Sequence, residues 1–241
     1  WFKGSILLAN EGINGSISAE QERIKEFYQM MQQYEFFTPM EYKENICSDI
    51  PFDKMKVRLK KEIVAFGKED LDMSYRGEYI SPAKWDEFIA KDDVILIDTR
   101  NDYEYKIGTF ENAINPNTEN FRDFPAWFET QKSKFKNKKI AMFCTGGIRC
   151  EKSTAYLKEE GFAQVYHLKG GIIGYLEETR NKNKKWQGNC FVFDDRCAVD
   201  ENLSVTELYC HSCSKELKRS NITSRKNQKQ FYCTDCFAKY C

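Results

Sequence analysis

The spacing of apolar residues near the start of the chain predicts a small α+β domain. The run "SILLA", the Asn/Gly-rich turn "NEGING" and the run "SISA" predict two strands joined by a tight connection. Apolar residues then recur at helical spacing through "EQERIKEFYQMMQQY", and "MKVRLKKEIVAFG" alternates at Met55, Val57 and Leu59 as in a strand. This β-β-α-β order predicts a truncated ferredoxin-like domain over residues 1–70, whose first strand and helix lie upstream of Trp1.

The pattern changes over residues 71–180, where strands and helices alternate. The runs "VILIDTR" and "KIAMFCT" are apolar as in strands buried on both faces, and "VYHLKGG" predicts a third strand. The segments "WDEFIA", "AWFETQKSKF" and "EKSTAYLKEEG" predict the helices among them. This alternation predicts an α/β fold with a mostly parallel sheet and helices on both faces. Ligands bind such sheets at the carboxyl ends of the strands, and Cys144 lies at such an end.

Composition and charge narrow the possible partners. The 37 basic and 37 acidic residues cancel, so any basic surface that binds nucleic acid must be local. Apolar residues make up 41% of the chain, as expected for a globular protein, and no apolar run is long enough to span a bilayer. We therefore expect no membrane partner, and no obligate protein partner is evident.

The cysteines are crowded toward one end of the chain. Seven of the ten follow residue 189, in the predicted linker and cysteine-rich tail over residues 181–241. A disulfide scaffold would spread them evenly through a short chain. The distribution instead favours a reducing compartment, with a reactive cysteine and a metal-type cluster. We accordingly expect a cytoplasmic location.

The segment "CTGGIRC" carries the candidate catalytic chemistry. A loop between a strand and a helix directs N–H groups inward, and Arg149 adds a fixed charge. Such a setting lowers the pKa of a thiol, which predicts Cys144 as a nucleophile and Arg149 as its catalytic partner. Gly146 and Gly147 are expected at positive φ, where they would let the amides converge. The predicted active-site loop comprises Thr145, Gly146, Gly147, Ile148 and Cys150.

The length of this loop limits what it holds. Arg149 gives the spacing C-x4-R, one residue shorter than the C-x5-R loop of cysteine phosphatases. The smaller loop suits a persulfide sulfur better than a tetrahedral phosphate. A buried, inert Cys144 is the alternative. For Cys150 the pattern leaves open a thiol that supports Cys144, a resolving thiol, or a packing residue at the helix start.

The tail contains a second cysteine pattern, C-x2-C-x19-C-x2-C. Paired thiolates at this spacing suit tetrahedral zinc with a structural role, formed by Cys210, Cys213, Cys233 and Cys236. Four thiols without metal, or disulfides formed after purification, are the alternatives. We expect His211 on the surface. The segment "KELKRSNITSRKNQKQ" between the pairs is basic, and it either binds RNA phosphate or is a solvated loop.

Several motifs together resemble a known family. The runs "ILIDTRNDYEYKIGTFENAINP", "CTGGIRC" and "VYHLKGGI" are similar to a rhodanese domain, with Thr109 where a histidine is often found. Taken in order with "LLANEGINGSIS", "MKVR", "FVFDDR" and the cysteine tail, they resemble the bacterial rhodanese-related tRNA uridine hydroxylase family. The resemblance covers essentially the whole chain.

That resemblance implies an activity and a substrate. It implies oxygen-dependent 5-hydroxylation of the wobble uridine, position 34, of certain tRNAs, with Cys144 essential and molecular oxygen as co-substrate. The partner would be the tRNA anticodon stem-loop. No flavin, haem or iron motif is present in the sequence, so the activation of oxygen stays open. As substrate-binding residues we predict Glu11 and Asn14, for which a hairpin turn is the structural alternative, together with Lys56 and Arg58.

Two other functions remain open at this point. The residues alone indicate a nucleophilic cysteine in a small anion cradle, flanked by binding modules. A rhodanese-type sulfurtransferase would use the same loop to carry sulfur as a Cys144 persulfide. A zinc-stabilised RNA-binding protein with a vestigial catalytic domain is the second rival, and the intact C-x4-R loop argues against it.

Overall fold

The computed structural model describes the chain in two compact units, residues 1–63 and the remainder from Val64. The described residues are 1–38, 40, 42–47, 50–68, 71–180, 184–194, 196–206, 208–210, 212–217, 223–224 and 231–240. Most of the basic segment between the two cysteine pairs lies outside them, as do His211 and Cys241.

The first unit has the predicted β-β-α-β order. Its elements are β1 (Lys3–Ala9), β2 (Gly12–Ser18), α1 (Gln21–Gln32) and β3 (Met55–Leu59). The sheet order is β2-β1-β3, with β1 antiparallel to β2 and parallel to β3. The strands extend further into "NEGING" than predicted, because β2 already begins at Gly12. A short 3-10 turn, Glu35–Phe37, follows α1.

The second unit is built on a four-stranded parallel sheet of order β4-β8-β7-β5. Short 3-10 turns lie at Met73–Tyr75 and Phe121–Asp123. The elements, in chain order, are β4 (Glu78–Ile80), α2 (Pro82–Ile89), β5 (Val94–Asp98), α3 (Asp102–Ile107), β6 (Gly108–Phe110), α4 (Phe124–Phe135), β7 (Lys139–Phe143), α5 (Ile148–Glu159), β8 (Val165–Leu168) and α6 (Gly171–Glu178).

Helices cover both faces of this sheet, as the continuous apolar strands predicted. Alternate residues of β7 point to opposite faces. Ile140 and Met142 pack with residues of α4 and α5, whereas Ala141 and Phe143 pack with residues of α2 and α6. Each face therefore has its own apolar core, and the parallel α/β fold class is confirmed.

The segment after α6 contributes to one of these cores. The remaining elements are β9 (Trp186–Gly188), β10 (Cys190–Phe191), β11 (Ala198–Val199), β12 (Leu208–Tyr209), β13 (Glu216–Leu217), β14 (Thr223–Ser224), β15 (Phe231–Tyr232) and α7 (Thr234–Tyr240). Strand β9 pairs with β6, and β10 pairs with β11. Trp186, Cys190 and Val199 pack with the residues of α2 and α6, so the chain just after residue 184 extends the core of the sheet.

Within the part of the chain that the structure describes, no helix has both the length and the apolar character needed to cross a bilayer.

Candidate active site and cysteine cluster

Cys144 lies at the carboxyl end of β7, where a tight loop leads into α5. The strand ends at Phe143, and α5 begins at Ile148. Gly147 has φ 103°, a conformation that glycine adopts readily, and it turns the chain into the helix. The expectation of positive φ is correct for Gly147 and wrong for Gly146, since a single left-handed residue is enough to make the turn.

The N-terminus of α6 holds the loop from outside. The N–H of Ile172 donates to the carbonyl oxygen of Cys144 at 2.9 Å, and the N–H of Ile173 donates to that of Thr145 at 3.1 Å. Gly171 packs so closely that a Cβ there would lie 2.5 Å from the Cys144 carbonyl oxygen. The approach requires glycine, and the two hydrogen bonds fix two carbonyl groups of the loop.

The Cys144 sulfur is buried among hydrogen-bond donors. Gly147 N–H donates to Cys144 Sγ at 3.1 Å. Burial alone would raise the pKa of the Cys144 thiol. The hydrogen bond from the Cys150 thiol, the charge of Arg149, and the N–H groups of Cys150 and Gly147 outweigh burial and lower that pKa to about 6. Cys144 is therefore mostly thiolate at neutral pH, the form that acts as a nucleophile.

Arg149 is held in place by a buried carboxylate. Its Nη1 and Nη2 donate to the two oxygens of Glu104 at 2.6 and 2.7 Å, and the Thr145 hydroxyl lies 3.4 Å from both side chains. Glu104 is fully buried. Burial would raise the pKa of Glu104, but the charge and hydrogen bonds of Arg149 lower it below its usual value. This bidentate pair fixes the guanidinium beside the thiolate.

Cys150 contacts the Cys144 sulfur from the first turn of α5. Its thiol is fully buried and lies 3.5 Å from the hydroxyl of Thr99. Burial, followed by the hydrogen bond to Cys144 and the charge of that thiolate, raises the pKa of Cys150 well above its usual value. Cys150 therefore stays protonated and lies close enough to Cys144 to lower the pKa of that thiol, which favours the supporting thiol among the three alternatives.

A second buried ion pair lies at the carboxyl end of β5. The guanidinium of Arg100 donates to Asp98 through Nε and Nη2, at 2.9 and 2.6 Å. Thr109, the residue that departs from the rhodanese pattern, donates its hydroxyl to Asp98 at 2.9 Å. The threonine thus supplies a hydrogen bond to a buried carboxylate.

The predicted substrate-binding residues lie in the first unit. Glu11 accepts the N–H of Ile63 at 2.5 Å. The strand register sets both Asn14 and Arg58 opposite Leu7, so the two side chains share one face of the sheet. Lys56, two residues before Arg58, lies on that same face. Their role with substrate stays a prediction.

The tail brings its four cysteines together. The sulfurs of Cys210, Cys213, Cys233 and Cys236 all lie within 4.8 Å of one another, and those of Cys213 and Cys233 are 3.6 Å apart. A disulfide needs about 2.05 Å, whereas a tetrahedral ion with bonds of about 2.3 Å separates its ligand sulfurs by roughly 3.8 Å. The cluster therefore fits a metal ion.

Sequence reasoning missed two parts of this site. Glu104 lies in the run "ILIDTRNDYEYKIGTFENAINP", which assigned it no role at the site, and its pairing with Arg149 joins two distant segments. The helix α6 was not assigned, although the consecutive glycines 170 and 171 directly after a strand are the signal that could have indicated a tight approach.

Comparisons with known proteins agree with this architecture. The family model described as "UPF0176 acylphosphatase like domain" matches residues 2–63, and the "Rhodanese-like domain" model matches residues 81–178. A Wolbachia pipientis protein from Culex pipiens (strain wPip), named tRNA uridine(34) hydroxylase, is 52% identical over 97% of this chain and 83% of its own length. Proteins of the same name from Rickettsia massiliae and Acinetobacter baumannii (strain AYE) are 56% and 50% identical, over 87% and 98% of this chain and 85% and 75% of their own lengths.

Proposed function

This chain belongs to the tRNA uridine(34) hydroxylase family, and from that premise we propose that it hydroxylates C5 of the wobble uridine of tRNA with Cys144 as the nucleophile. The family assignment that the sequence motifs predicted is confirmed. One observation supports Cys144 as the nucleophile: its thiol is buried, has a pKa lowered to about 6, and lies at the carboxyl end of a parallel strand.

The chemistry of uracil explains why a thiolate is useful here. Carbon C5 must become electron-rich before it takes up oxygen. Addition of the Cys144 thiolate to C6 forms an S–C6 bond and moves the C5=C6 electron pair toward an enolate on O4. C5 then forms its bond to oxygen, and loss of the C5 proton expels the thiolate and restores the ring.

The oxygen balance requires a second reactant. One atom of molecular oxygen enters the C5–H bond, and the other leaves as water after taking up two electrons and two protons from a two-electron reductant. Within this scheme Arg149 and the loop N–H groups hold the thiolate before addition and after its release. In this scheme the Cys150 thiol donates a hydrogen bond to the Cys144 sulfur while that sulfur is a thiolate.

Other parts of the chain are assigned to RNA binding and to stabilisation of the tail. We assign Asn14, Lys56 and Arg58 to contacts with the anticodon stem-loop, because one face of the first sheet carries all three. Glu11, beside that sheet, belongs to the same predicted set. Zinc is the metal we propose for the tail, with a structural role, since four cysteine sulfurs at this spacing form a closed tetrahedral site. A reaction on tRNA is in keeping with a cytoplasmic location.

Nucleoside mass spectrometry tests the proposal. A bacterial strain that lacks its own 5-hydroxyuridine enzymes is complemented with the wild-type chain or with Cys144→Ser. We expect 5-hydroxyuridine in tRNA only with the wild type. Cys47→Ser, which removes an exposed cysteine, is the matched control and should behave as the wild type. Equal modification by Cys144→Ser would contradict a catalytic role for this thiol.

Sulfur transfer is the second candidate, because the short C-x4-R loop and its inward N–H groups also suit a persulfide on Cys144. Rapid turnover of purified protein with thiosulfate and cyanide would favour this rival. A 5-fluorouridine-substituted stem-loop distinguishes the two chemistries directly. Covalent addition predicts a denaturation-resistant adduct with the wild type and none with Cys144→Ser.

A further inference from the structure

The side chain of Phe193 is a large apolar group exposed next to the candidate active site. It is 65% exposed, although the two residues before it, Phe191 and Val192, are buried. Arg149, whose guanidinium helps to lower the pKa of Cys144, lies over the Phe193 ring at 5.7 Å from its centroid. Arg149 is therefore a neighbour of both Phe193 and the Cys144 thiol.

Hydrogen bonds hold the described residues next to Phe193. Phe193 lies in the turn between β10 and β11, where the N–H of Val192 donates to the carbonyl of Cys197 at 2.9 Å. Arg196 donates to both carboxylate oxygens of Asp194, at 2.8 and 2.6 Å. The ring itself packs edge-to-face against Phe191, with centroids 5.1 Å apart and an interplanar angle of 87°. A ring that is fixed on a short turn but left open to solvent is already in place to receive a ligand.

We propose that Phe193 is the stacking platform for the uracil base that Cys144 attacks, a binding subsite that rests on the proposed function. Proteins that recognise unpaired nucleotides commonly stack the base on an aromatic ring or on a guanidinium plane, and here both are present, with the Arg149 guanidinium over the Phe193 ring. The wobble base belongs to a loop, so turning it out of its stack costs little. The motif "FVFDDR", to which no other role has been assigned, thereby gains one.

The chain contains a matched control at the other end of the same helix. Tyr75 is also exposed, and the ammonium of Lys158 lies 5.6 Å from its ring centroid. Arg149 and Lys158 are nine residues apart in α5, which separates them by about 14 Å along the helix axis. Tyr75 thus reproduces the exposed aromatic ring and its cation at a distance from Cys144.

The test is a binding cycle in the Cys144→Ser background, which prevents chemistry. The probes are an anticodon stem-loop RNA with uridine at position 34 and the same RNA with an abasic residue there. We expect Phe193→Ala to weaken binding of the uridine RNA about 10-fold and to leave binding of the abasic RNA nearly unchanged. Tyr75→Ala should weaken neither.

Two further substitutions separate stacking from simple packing, and circular dichroism first establishes that each variant is folded. Phe193→Trp keeps an aromatic face and should bind as tightly as the parent. Phe193→Leu keeps apolar volume without that face and should bind like Phe193→Ala. Equal losses with both RNAs, or full affinity in Phe193→Leu, would overturn the inference.

Activity distinguishes the inference from the function on which it rests. In the otherwise wild-type chain, Phe193→Ala should lower kcat/KM for 5-hydroxyuridine formation by about the same factor as it lowers affinity. Normal hydroxylation by Phe193→Ala overturns the subsite alone. If the wild type makes no 5-hydroxyuridine, the proposed function fails, whereas the binding cycle still reports whether Phe193 contacts base 34.

Discussion

The loop at Cys144 and the cluster at Cys210 both depend on cysteine sulfur, but they compensate its negative charge in opposite ways. At Cys144 one sulfur faces the N–H of Gly147, the thiol of Cys150 and the charge of Arg149. At Cys210 four sulfurs face one another within 4.8 Å. At the first site, groups of the protein itself compensate the negative charge of the sulfur. At the second site, four thiolates would repel one another unless a cation binds between them.

This difference indicates what each cysteine is suited to do. A thiolate stabilised by fixed donors keeps a free electron pair for a substrate. Thiolates that share a cation are bound and chemically quiet, and they stabilise a fold that is too small to have a large core. On the proposed assignments, the same residue type would serve as nucleophile at Cys144 and as metal ligand at Cys210, according to the source of the positive charge.

The largest effect is expected from Cys144→Ser. Serine occupies nearly the same space, but its hydroxyl stays protonated at neutral pH, so the hydroxylase reaction should fall below detection. The cluster should be unaffected, and elemental analysis of the variant should still find about one zinc per chain. Loss of zinc from Cys144→Ser would show that the two sites are not independent.

The complementary substitution, Cys210→Ser, should have the opposite outcome. Removing one of four sulfur ligands should abolish stoichiometric zinc binding, as measured on freshly reduced, metal-replete protein. Alkylation of Cys144 by iodoacetamide, followed by peptide mass spectrometry, should keep its wild-type rate. Wild-type protein without zinc would sink the metal assignment, and Cys210→Ser should then cost little stability.

The sequence predicts the location of both sites because local patterns define them. The continuous apolar run "KIAMF", followed by a glycine loop and a helical pattern, sets Cys144 at the end of a buried strand. The repeated C-x2-C spacing brings the two thiols of each pair together. Each of these patterns involves residues only a few positions apart in the sequence. Both sites can therefore be predicted from residues that are close together in the sequence.

The contacts that tune Cys144 could not be predicted in the same way. Glu104 pairs with Arg149 across 45 positions, and α6 supports the loop through backbone N–H groups that any residue would supply. Phe193 reaches Arg149 from a hairpin still further along the chain. Such contacts depend on how strands and helices pack, so the geometry that lowers the pKa of Cys144 emerges only with the tertiary structure.

Arg149→Ala tests the built-in charge. It removes the cation beside the thiolate and leaves the buried carboxylate of Glu104 without its partner, so both changes should raise the pKa of Cys144 from about 6. The midpoint of the pH dependence of Cys144 alkylation should move upward, and the thiolate fraction at pH 7 should fall. We also expect a loss of about 3–5 kcal/mol in the free energy of unfolding, measured with urea, because a buried ion pair is broken.

The double variant Arg149→Ala/Glu104→Gln separates charge from stability. It removes the unpaired carboxylate, so much of the lost unfolding free energy should return, while the alkylation midpoint should stay above that of the wild type. An unchanged midpoint in both variants would argue against a role for Arg149 in activating the thiolate.

The smallest effect is expected from substitutions of Cys150, which test a single hydrogen-bond donor to the Cys144 sulfur. The Cys150 thiol acts to lower the pKa of Cys144, and its own raised pKa keeps its proton in place over the neutral range, so we expect it to donate to the Cys144 sulfur. Cys150→Ala removes that donor but keeps the backbone N–H, so it should raise the pKa of Cys144 and shift its alkylation midpoint upward. The shift should be smaller than that of Arg149→Ala, which additionally leaves Glu104 uncompensated. Cys150→Ser restores a donor of similar size and should return the midpoint close to that of the wild type. If serine and alanine shift the midpoint equally, the Cys150 thiol acts by filling space and not by donating a hydrogen bond.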